Sequence, residues 1–333
     1  AALIEDVVLG CAFPEGEQGL NVARLIGLLA DLPLAVGGMT VNRFCGSSMS
    51  AIHIAAGQIA IGAGDAFICA GLESMSRVPM GGYNPLPNPV LAAKSAGAYM
   101  GMGETAENVA TRYQITRAEQ DAFAAASQHK AAAARDAGRL ADEIVPIMTR
   151  GGPVTEDGAI RPDTSIEALA GLKPAFDAQG SVTAGTSSPL TDGASAVLVT
   201  SEAFAAKHGL TVLARIRSVG ISGCAPETMG LGPIEASRKA LARAGLTAAD
   251  IDIVEINEAF AAQAIACIRD LGLDAATINL DGGAIAIGHP LGATGARIVG
   301  KAAALLAREG KRYALATQCI GGGQGIATVL ERA

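Results

Sequence analysis

Short apolar segments alternate with helical patterns along the whole chain. Six of these segments predict β-strands, at residues 6–11, 66–70, 194–200, 213–219, 251–256 and 312–317. The segment at 213–219 alternates apolar and basic residues, which is typical of a strand with one exposed face. Because helical patterns lie between the strands, we predict an α/β protein whose parallel or mixed sheets are covered on both sides.

The helical patterns carry signals for where they begin and end. Residues 47–61 are small and mostly apolar without a polar face, which predicts a buried helix. Thr116 and Glu119 have the spacing of a capping box, and the Ala-rich helix that they begin is expected to end near Gly138. Pro233 is placed to occupy the first turn of a later helix.

Two regions between these elements predict irregular structure. Residues 79–89 are dense in Pro and Gly, and residues 151–163 are polar and rich in turn formers, so both are predicted to be loops. Strand-rich blocks at roughly 1–75 and 213–333 flank a looser region at 76–189. The chain therefore divides into two strand-rich blocks and an insertion between them.

Composition and charge narrow the class of protein. Half of the residues are apolar, only 17% are charged, and 42 of 333 are glycine, which excludes a disordered chain, a coiled coil and a collagen-like repeat. The length suits about two domains with a sizeable core. With a net charge of −7, the chain lacks the broad basic surface of a nucleic-acid-binding protein. We therefore expect a compact protein with no nucleic-acid partner.

The cysteines and histidines form no metal-binding pattern. The six cysteines include no CxxC pair and the four histidines no HExxH motif, so no metal site is predicted. Six cysteines in 333 residues are no disulfide framework, which favours a reducing compartment. The longest apolar stretches are interrupted well before about 18 residues, so no membrane span is predicted.

Two residues are candidates for a nucleophile and its base. Cys45 lies in VNRFCGSS (residues 41–48) just before the buried helix, where a helix N-terminus is expected to lower the thiol pKa. The alternative is a buried structural cysteine. His289 lies in the Gly-rich segment 282–297, and an imidazole there can accept a proton from a thiol. The alternative is a loop histidine bonded to the backbone.

Two further segments could stabilise negative charge. Cys319 begins CIGGGQG (residues 319–325), where a strand is expected to end and glycine N–H groups suit an oxyanion hole. A dinucleotide-binding fingerprint is excluded there, because the glycine spacing and the remaining chain length do not fit one. Asn257 begins NEAF (residues 257–260) after a strand, so its amide could orient a water or bind an oxyanion, although Asn also ends strands for turn reasons.

Together these four segments resemble the thiolase family, most closely the degradative 3-ketoacyl-CoA thiolases (acetyl-CoA C-acyltransferases). The resemblance covers nearly the whole chain and includes GLESMS at 71–76, MGETAEN at 102–108, VTAGTSS at 182–188 and MGLGP at 229–233. It implies a five-layer αβαβα fold of two similar halves with an inserted loop domain. The N-terminal half would comprise residues 1–75 and 190–212, the loop domain 76–189, and the C-terminal half 213–333.

The resemblance also assigns the site residues. Cys45 would be the nucleophile, His289 its base and Cys319 the second proton carrier, with Asn257 and Gly321 holding oxyanions. The residues expected along the acyl and coenzyme A channel are Ser188 near the pantetheine, Arg161 at the nucleotide end, and Met102, Met229 and Phe260.

The activity implied is cleavage of a 3-ketoacyl-CoA by coenzyme A in fatty-acid β-oxidation, with coenzyme A as substrate and no cofactor. One alternative is a biosynthetic acetoacetyl-CoA thiolase, and a weaker one is an inactive CoA- or lipid-binding relative. A decarboxylating condensing enzyme is disfavoured by the second cysteine and the NEAF segment. The resemblance implies a homodimer or homotetramer, and it leaves open a hydratase–dehydrogenase partner subunit.

The start of the chain departs from the family pattern. Thiolases generally begin with a strand and helix, about 40–45 residues, before the segment matching 6–11, and loss of a central strand would expose sheet edges. We therefore expect the natural chain to be longer, with the missing strand central in the first sheet. The composition favours a bacterial cytoplasmic protein, and a missing N-terminus leaves a mitochondrial or peroxisomal address open.

Overall fold

A computed structural model describes residues 1–333. The strands are β1 (Asp6–Gly10), β2 (Gly37–Val41), β3 (Ala66–Ser74), β4 (Ile147–Thr149), β5 (Gly152–Val154), β6 (Asp192–Thr200), β7 (Ala214–Gly223), β8 (Ile253–Ile256), β9 (Tyr313–Ile320) and β10 (Gln324–Arg332). The α-helices are α1 (Val22–Leu29), α2 (Ser47–Ala60), α3 (Pro89–Lys94), α4 (Met102–Arg112), α5 (Arg117–Asp136), α6 (Ile166–Ala170), α7 (Glu202–His208), α8 (Gly232–Ala244), α9 (Ala261–Leu271), α10 (Ala284–Ile287) and α11 (Thr294–Glu309).

The first sheet has the order β2-β1-β3-β6. Strand β1 pairs in parallel with both β2 and β3, and β6 pairs antiparallel with β3. The expectation that a strand is missing from the centre of this sheet is wrong, because β1 and β3 bond directly to each other in continuous register from Asp6 to Gly10. No gap between strands is left there, and β6 forms the outer edge of the sheet.

The second sheet has the order β7-β10-β9-β8. Strands β8 and β9 are parallel, whereas β10 pairs antiparallel with both β9 and β7. The exposed face of β7 agrees with its alternating sequence, because its first five residues alternate between partly buried and exposed positions. Strand β3 ends, and β6 and β7 begin, within two residues of the predicted domain boundaries. The division of the chain into these domains stays a prediction.

Successive side chains of a strand point to opposite faces of the sheet, so the residues they contact identify the layer on each side. On β1, Val7 and Leu9 pack with α1, while Val8 on the other face packs with α2 and α11. On β8, Ile253 joins the same central core and Val254 packs against α8 and α9. The predicted α/β fold with five layers, αβαβα, is thereby confirmed, with α2 and α11 between the two sheets.

The central helices touch at their N-terminal ends. A Cβ added to Gly295 would come within 2.3 Å of Met49 N, so only glycine permits this approach of backbone to backbone. Ser48 Oγ accepts a hydrogen bond of 2.9 Å from Ala296 N. Because the chain enters α2 and α11 from Cys45 and His289 respectively, this contact brings the two candidate residues to one place.

The helix signals in the sequence are confirmed, whereas one loop prediction is wrong. Helix α2 occupies the predicted buried segment, and α5 begins with the Thr116–Glu119 capping box. Pro233 lies in the first turn of α8. The prediction that 151–163 is wholly a loop is wrong, because β5 pairs with β4 as a short hairpin. None of the helices combines the length and the apolar character required to cross a membrane.

Candidate active site

Cys45 lies on a strained turn between β2 and α2. Phe44, just before it, has a φ of +44°, which is unusual for a bulky residue. Asn42 Oδ1 accepts from Phe44 N at 2.8 Å, and Ser47 Oγ donates to Phe44 O at 2.6 Å. These two hydrogen bonds hold the turn, and backbone strain of this kind is found mainly where a residue must be presented in one orientation.

The expected lowering of the Cys45 pKa is wrong. Although the residue retains some exposure, the protein around the thiol raises its pKa to about 11. Hydrogen bonds from the backbone of Gly321 and of Cys45 itself lower the pKa, but by less than burial raises it. The resting nucleophile is therefore a thiol, since desolvation of a thiolate outweighs the helix terminus.

His289 is held in one tautomer by Thr294. The Thr294 hydroxyl donates to Pro290 O at 3.0 Å, so its oxygen accepts from His289 Nδ1 at 2.6 Å. This leaves the lone pair on Nε2. Burial, followed by the charge of Arg297, lowers the pKa of His289 to about 3. A neutral imidazole with its lone pair on Nε2 is the form that a general base requires.

Asn257 lies beside that lone pair. Its side chain is 0% exposed, its backbone N–H donates to Thr317 O at 3.0 Å, and its Nδ2 donates to His289 Nε2 at 3.2 Å. Asn257 therefore follows directly after β8, and its side chain contacts His289, the candidate base. An amide and an imidazole at this separation can bind the same oxygen, directly or through one water.

Cys319 approaches from the second sheet. The expectation that the strand ends before this residue is wrong: β9 continues to Ile320, and the glycines form the turn into β10. The side chain of Cys319 is 0% exposed, and burial raises its pKa well above the ordinary value. The hairpin turn places the N–H of Gly321 at the thiol of Cys45. Gln318 Nε2 also donates to Cys45 O, so β9 and the turn that follows it each make one contact with the nucleophile.

The predicted channel residues gather around Cys319. Met229 and Phe260 pack with it in one apolar cluster, and the partly buried Met102 packs against that cluster. Ser188 joins through its backbone N–H and its Oγ, which donate to Ala259 O at 3.0 and 3.2 Å. Four of the five predicted substrate contacts therefore lie in or beside one apolar cluster around Cys319, and their role along the channel stays a prediction.

Arg161 is the exception among the substrate contacts. Its side chain is exposed, and its backbone N–H donates to Gln128 Oε1 at 2.8 Å on α5. The neighbouring Ile160 packs in a cluster with Ala286. Nothing in these contacts links the guanidinium to Cys45, so its role at the nucleotide end stays a prediction.

Four residues near the site escaped the sequence analysis. Thr294 holds the ring of His289 from five residues away, whereas Gln318 and Glu73 act through contacts distant in sequence, on Cys45 and on Gly292 respectively. Phe176 packs edge-on against Phe260, with ring centroids 5.9 Å apart. An aromatic residue within a loop gave no local signal.

The structure holds no group of three or more His, Cys, Asp or Glu side chains placed to bind a metal ion.

The resting protonation states predict how Cys45 reacts with pH. Because the pKa of Cys45 is raised to about 11 and that of His289 lowered to about 3, the pair is thiol and neutral imidazole between these values. The thiolate fraction then grows tenfold per pH unit, so the rate of iodoacetamide alkylation should rise steadily from pH 6 to 9. Stopped-time alkylation with peptide mapping of Cys45 measures it. A rate constant independent of pH over this range would show a thiolate–imidazolium pair instead.

Comparisons with known proteins agree across both halves. The model of the thiolase N-terminal domain matches residues 1–203, and that of the thiolase C-terminal domain matches residues 210–332. The chain is 52% identical to the 3-ketoacyl-CoA thiolase of Shewanella frigidimarina over 338 aligned positions, covering 99% of this chain and 87% of that protein. The 3-ketoacyl-CoA thiolase of Shewanella denitrificans is also 52% identical, with 99% and 88% covered. With both domain models matched and nearly every residue aligned to these relatives, the chain belongs to the thiolase family.

Proposed function

We propose that this thiolase is a degradative 3-ketoacyl-CoA thiolase, an acetyl-CoA C-acyltransferase that cleaves a 3-ketoacyl-CoA with coenzyme A. The observation that carries the proposal is the meeting of two cysteines, one from each half, with a neutral histidine and a buried asparagine. One thiol serves as nucleophile and the other as proton carrier, which is what cleavage of a carbon–carbon bond followed by acyl transfer requires. The name of the relatives supports the same activity.

In the first half-reaction, His289 Nε2 accepts the proton of the Cys45 thiol. The sulfur attacks the 3-keto carbon, the bond between C2 and C3 breaks, and the acyl group stays on Cys45 as a thioester. The departing acetyl-CoA enolate takes a proton at C2 from the Cys319 thiol. Cys319 is suited to this donation because its raised pKa keeps it protonated until a strong carbon base forms beside it.

In the second half-reaction, the Cys319 thiolate removes the proton of free coenzyme A. The new thiolate attacks the acyl thioester, and the shortened acyl-CoA leaves. Cys45 recovers its proton from His289, so each group returns to its starting state. Two products released in sequence through one acyl-enzyme predict ping-pong kinetics. Coenzyme A acts as substrate, and the scheme uses no cofactor.

Two oxyanions need separate partners in this scheme. The enolate oxygen is assigned to His289 Nε2 and a water held by Asn257, consistent with the 3.2 Å contact between those side chains. The tetrahedral oxyanion on the acyl carbon is assigned to the backbone N–H groups of Cys45 and Gly321, which both reach the nucleophilic sulfur. The tetrahedral oxyanion therefore has its donors in place before the substrate arrives, whereas His289 Nε2 becomes a donor to the enolate oxygen once it has taken the Cys45 proton.

Asn257→Ala tests the first of these assignments. The variant should fold, because the asparagine side chain bonds only to His289, and its turnover should fall about 10²–10³-fold, as for other lost oxyanion donors. Steady-state thiolysis of a 3-ketoacyl-CoA measures the loss. Turnover equal to that of the wild type would refute the assigned role of Asn257.

Thiolysis over a series of acyl lengths tests the proposed function itself. Substrates of short to long chain would be followed by the loss of enolate absorbance on addition of coenzyme A. Turnover that persists beyond acetoacetyl-CoA supports the degradative enzyme. Turnover confined to acetoacetyl-CoA would identify the biosynthetic alternative, and no turnover at any length would contradict both.

The assembly and location are part of the proposal. Leu20, Leu25, Leu28 and Leu29, which lie on and just before α1, are between 43% and 87% exposed beside the free edge of β2. This apolar surface supports a homodimer or homotetramer, which light scattering after size exclusion would distinguish from a monomer. The Shewanella relatives support a bacterial, cytoplasmic setting.

A further inference from the structure

Glu73 is a buried carboxylate that the scheme above does not use. It is the next-to-last residue of β3 and is 3% exposed. Its oxygens accept hydrogen bonds from Ala12 N at 2.8 Å, Phe13 N at 3.2 Å, Gln18 Nε2 at 2.5 Å, Gly292 N at 2.9 Å and Cys11 Sγ at 3.7 Å. A buried carboxylate with this many donors is fully satisfied as an anion.

These donors belong to both halves of the chain. Four of them lie in the loop after β1, and Gly292 lies in the turn before α11. A Cβ added to Gly292 would come within 2.5 Å of Leu72 O, and one added to Gly71 within 2.1 Å of Gly292 O. Backbone therefore meets backbone where the ends of β1 and β3 reach this turn, and Glu73 is the side chain that bonds across the junction.

One path of hydrogen bonds leads from Glu73 to the nucleophile. Glu73 holds Ala12, whose carbonyl accepts from Asn42 Nδ2 at 2.9 Å. Asn42 Oδ1 in turn accepts from Phe44 N at 2.8 Å, in the strained turn that presents Cys45. A shift of the loop after β1 would thus move the support of the nucleophile.

A second path leads from Glu73 to the base. Gly292 lies in a turn closed by hydrogen bonds from Thr294 N and Thr294 Oγ1 to Pro290 O, both at 3.0 Å. Thr294 fixes the ring of His289 through Nδ1. The bond from Gly292 N to Glu73 therefore sets the turn that orients the imidazole.

We propose that Glu73 is a positioning residue, whose carboxylate sets the base loop of His289 relative to the nucleophile turn of Cys45 across the boundary between the two halves. This role rests on the proposed function, because it concerns the alignment of the reacting pair in thiolysis. Misplacement of a reacting group by about 1 Å can cost about 10²-fold in rate. Substrate binding uses other residues, so the cost should fall on kcat.

Glu73→Gln tests this role. Each carboxylate oxygen accepts at least two hydrogen bonds, so whichever end carries the amide –NH₂ group, at least two donors face another donor. We expect kcat for thiolysis to fall about 10²-fold, with KM for coenzyme A within about threefold of the wild type. Alkylation of Cys45 by iodoacetamide, which needs no alignment with His289, should stay within a few-fold. A merely structural defect would lower binding and alter alkylation together with kcat.

Asp252→Asn is the matched control. Its carboxylate also bonds backbone, accepting from Arg312 N at 3.0 Å and Tyr313 N at 2.9 Å. It lies at the opposite ends of β8 and β9 from Asn257 and Cys319, and both bonds go to one oxygen, which the amide oxygen of asparagine can replace, so kcat should be unchanged and the melting temperature should fall little. If Glu73→Gln does not fold, Glu73→Asp replaces it, because it keeps the charge and withdraws the carboxylate from Gly292.

The outcomes separate the two proposals. A wild-type enzyme that cleaves no 3-ketoacyl-CoA contradicts the proposed function. An active wild type beside a folded Glu73 variant with kcat within threefold overturns the positioning role. A parallel loss of kcat, substrate binding and normal Cys45 alkylation also overturns it, since the variant would then have disrupted the pocket as a whole.

Discussion

Cys45→Ala should abolish thiolysis of every 3-ketoacyl-CoA, with a loss of at least about 10⁴-fold in turnover. No other group in the site can take over the acyl thioester, because Cys319, the second thiol, is occupied with proton transfer and its pKa is raised well above the ordinary value. Mass spectrometry of the wild type mixed with substrate should show an acyl adduct on Cys45. The variant should show neither the adduct nor the loss of enolate absorbance.

Cys69→Ala is the control for this experiment. Cys69 is also a buried cysteine, with Sγ donating to Ala51 O at 3.5 Å, but it lies in the central core away from the site. Its removal should lower the free energy of unfolding without changing kcat. Persistent thiolysis by Cys45→Ala, or an acyl adduct on another residue, would contradict the assignment of the nucleophile.

Cys319→Ala should produce the second-largest effect and a different pattern. Turnover is expected to fall about 10³–10⁴-fold, because both half-reactions lose their proton carrier. The Cys45 thiol remains, so its alkylation by iodoacetamide should continue. Steady-state thiolysis and alkylation, measured on the same preparation, test the two expectations together.

The deuterium content of the product provides a second test of the role of Cys319. In D₂O the wild type should deliver one deuterium to C2 of the released acetyl-CoA, and Cys319→Ala should slow this delivery in step with turnover. Serine at this position should be nearly as poor as alanine, since a hydroxyl is a weaker acid than a thiol. Turnover of Cys319→Ala within tenfold of the wild type would mean that another group carries the proton.

Much of the fold was predictable because its signals are local. The capping box at Thr116 and Glu119, Pro233 at the start of α8 and the alternation in β7 each depend on a few neighbouring residues. The candidate residues were predictable for the same reason, since glycine-rich turns at strand ends and helix starts are visible as short motifs. The hairpin of β4 and β5 was missed, because its strands have three residues each.

Properties that depend on distant contacts were beyond the sequence. The helix start before α2 predicted a lowered pKa for Cys45, whereas packing from both halves raises it to about 11. The Nδ1–H tautomer of His289 depends on Thr294 and Pro290, which are close to it in sequence, but only the folded turn shows that the Thr294 hydroxyl donates to Pro290 and accepts from His289. The effects of desolvation and of side-chain hydrogen bonds on a pKa are sums over all neighbours in space. A local sequence pattern therefore cannot determine whether the pKa rises or falls.

Local patterns in the amino-acid sequence were enough to predict the α/β architecture and the strand ends and helix starts that carry the motifs. They also identified Cys45, His289, Asn257 and Cys319 as candidates. How these groups meet, and in which protonation states, follows only from the packing of the folded chain. Glu73 and Gly292 are 219 positions apart, and Gln318 and Cys45 are 273 apart. Contacts at such separations form only when the two halves pack, which is why the alignment of the site belongs to the fold and not to any motif.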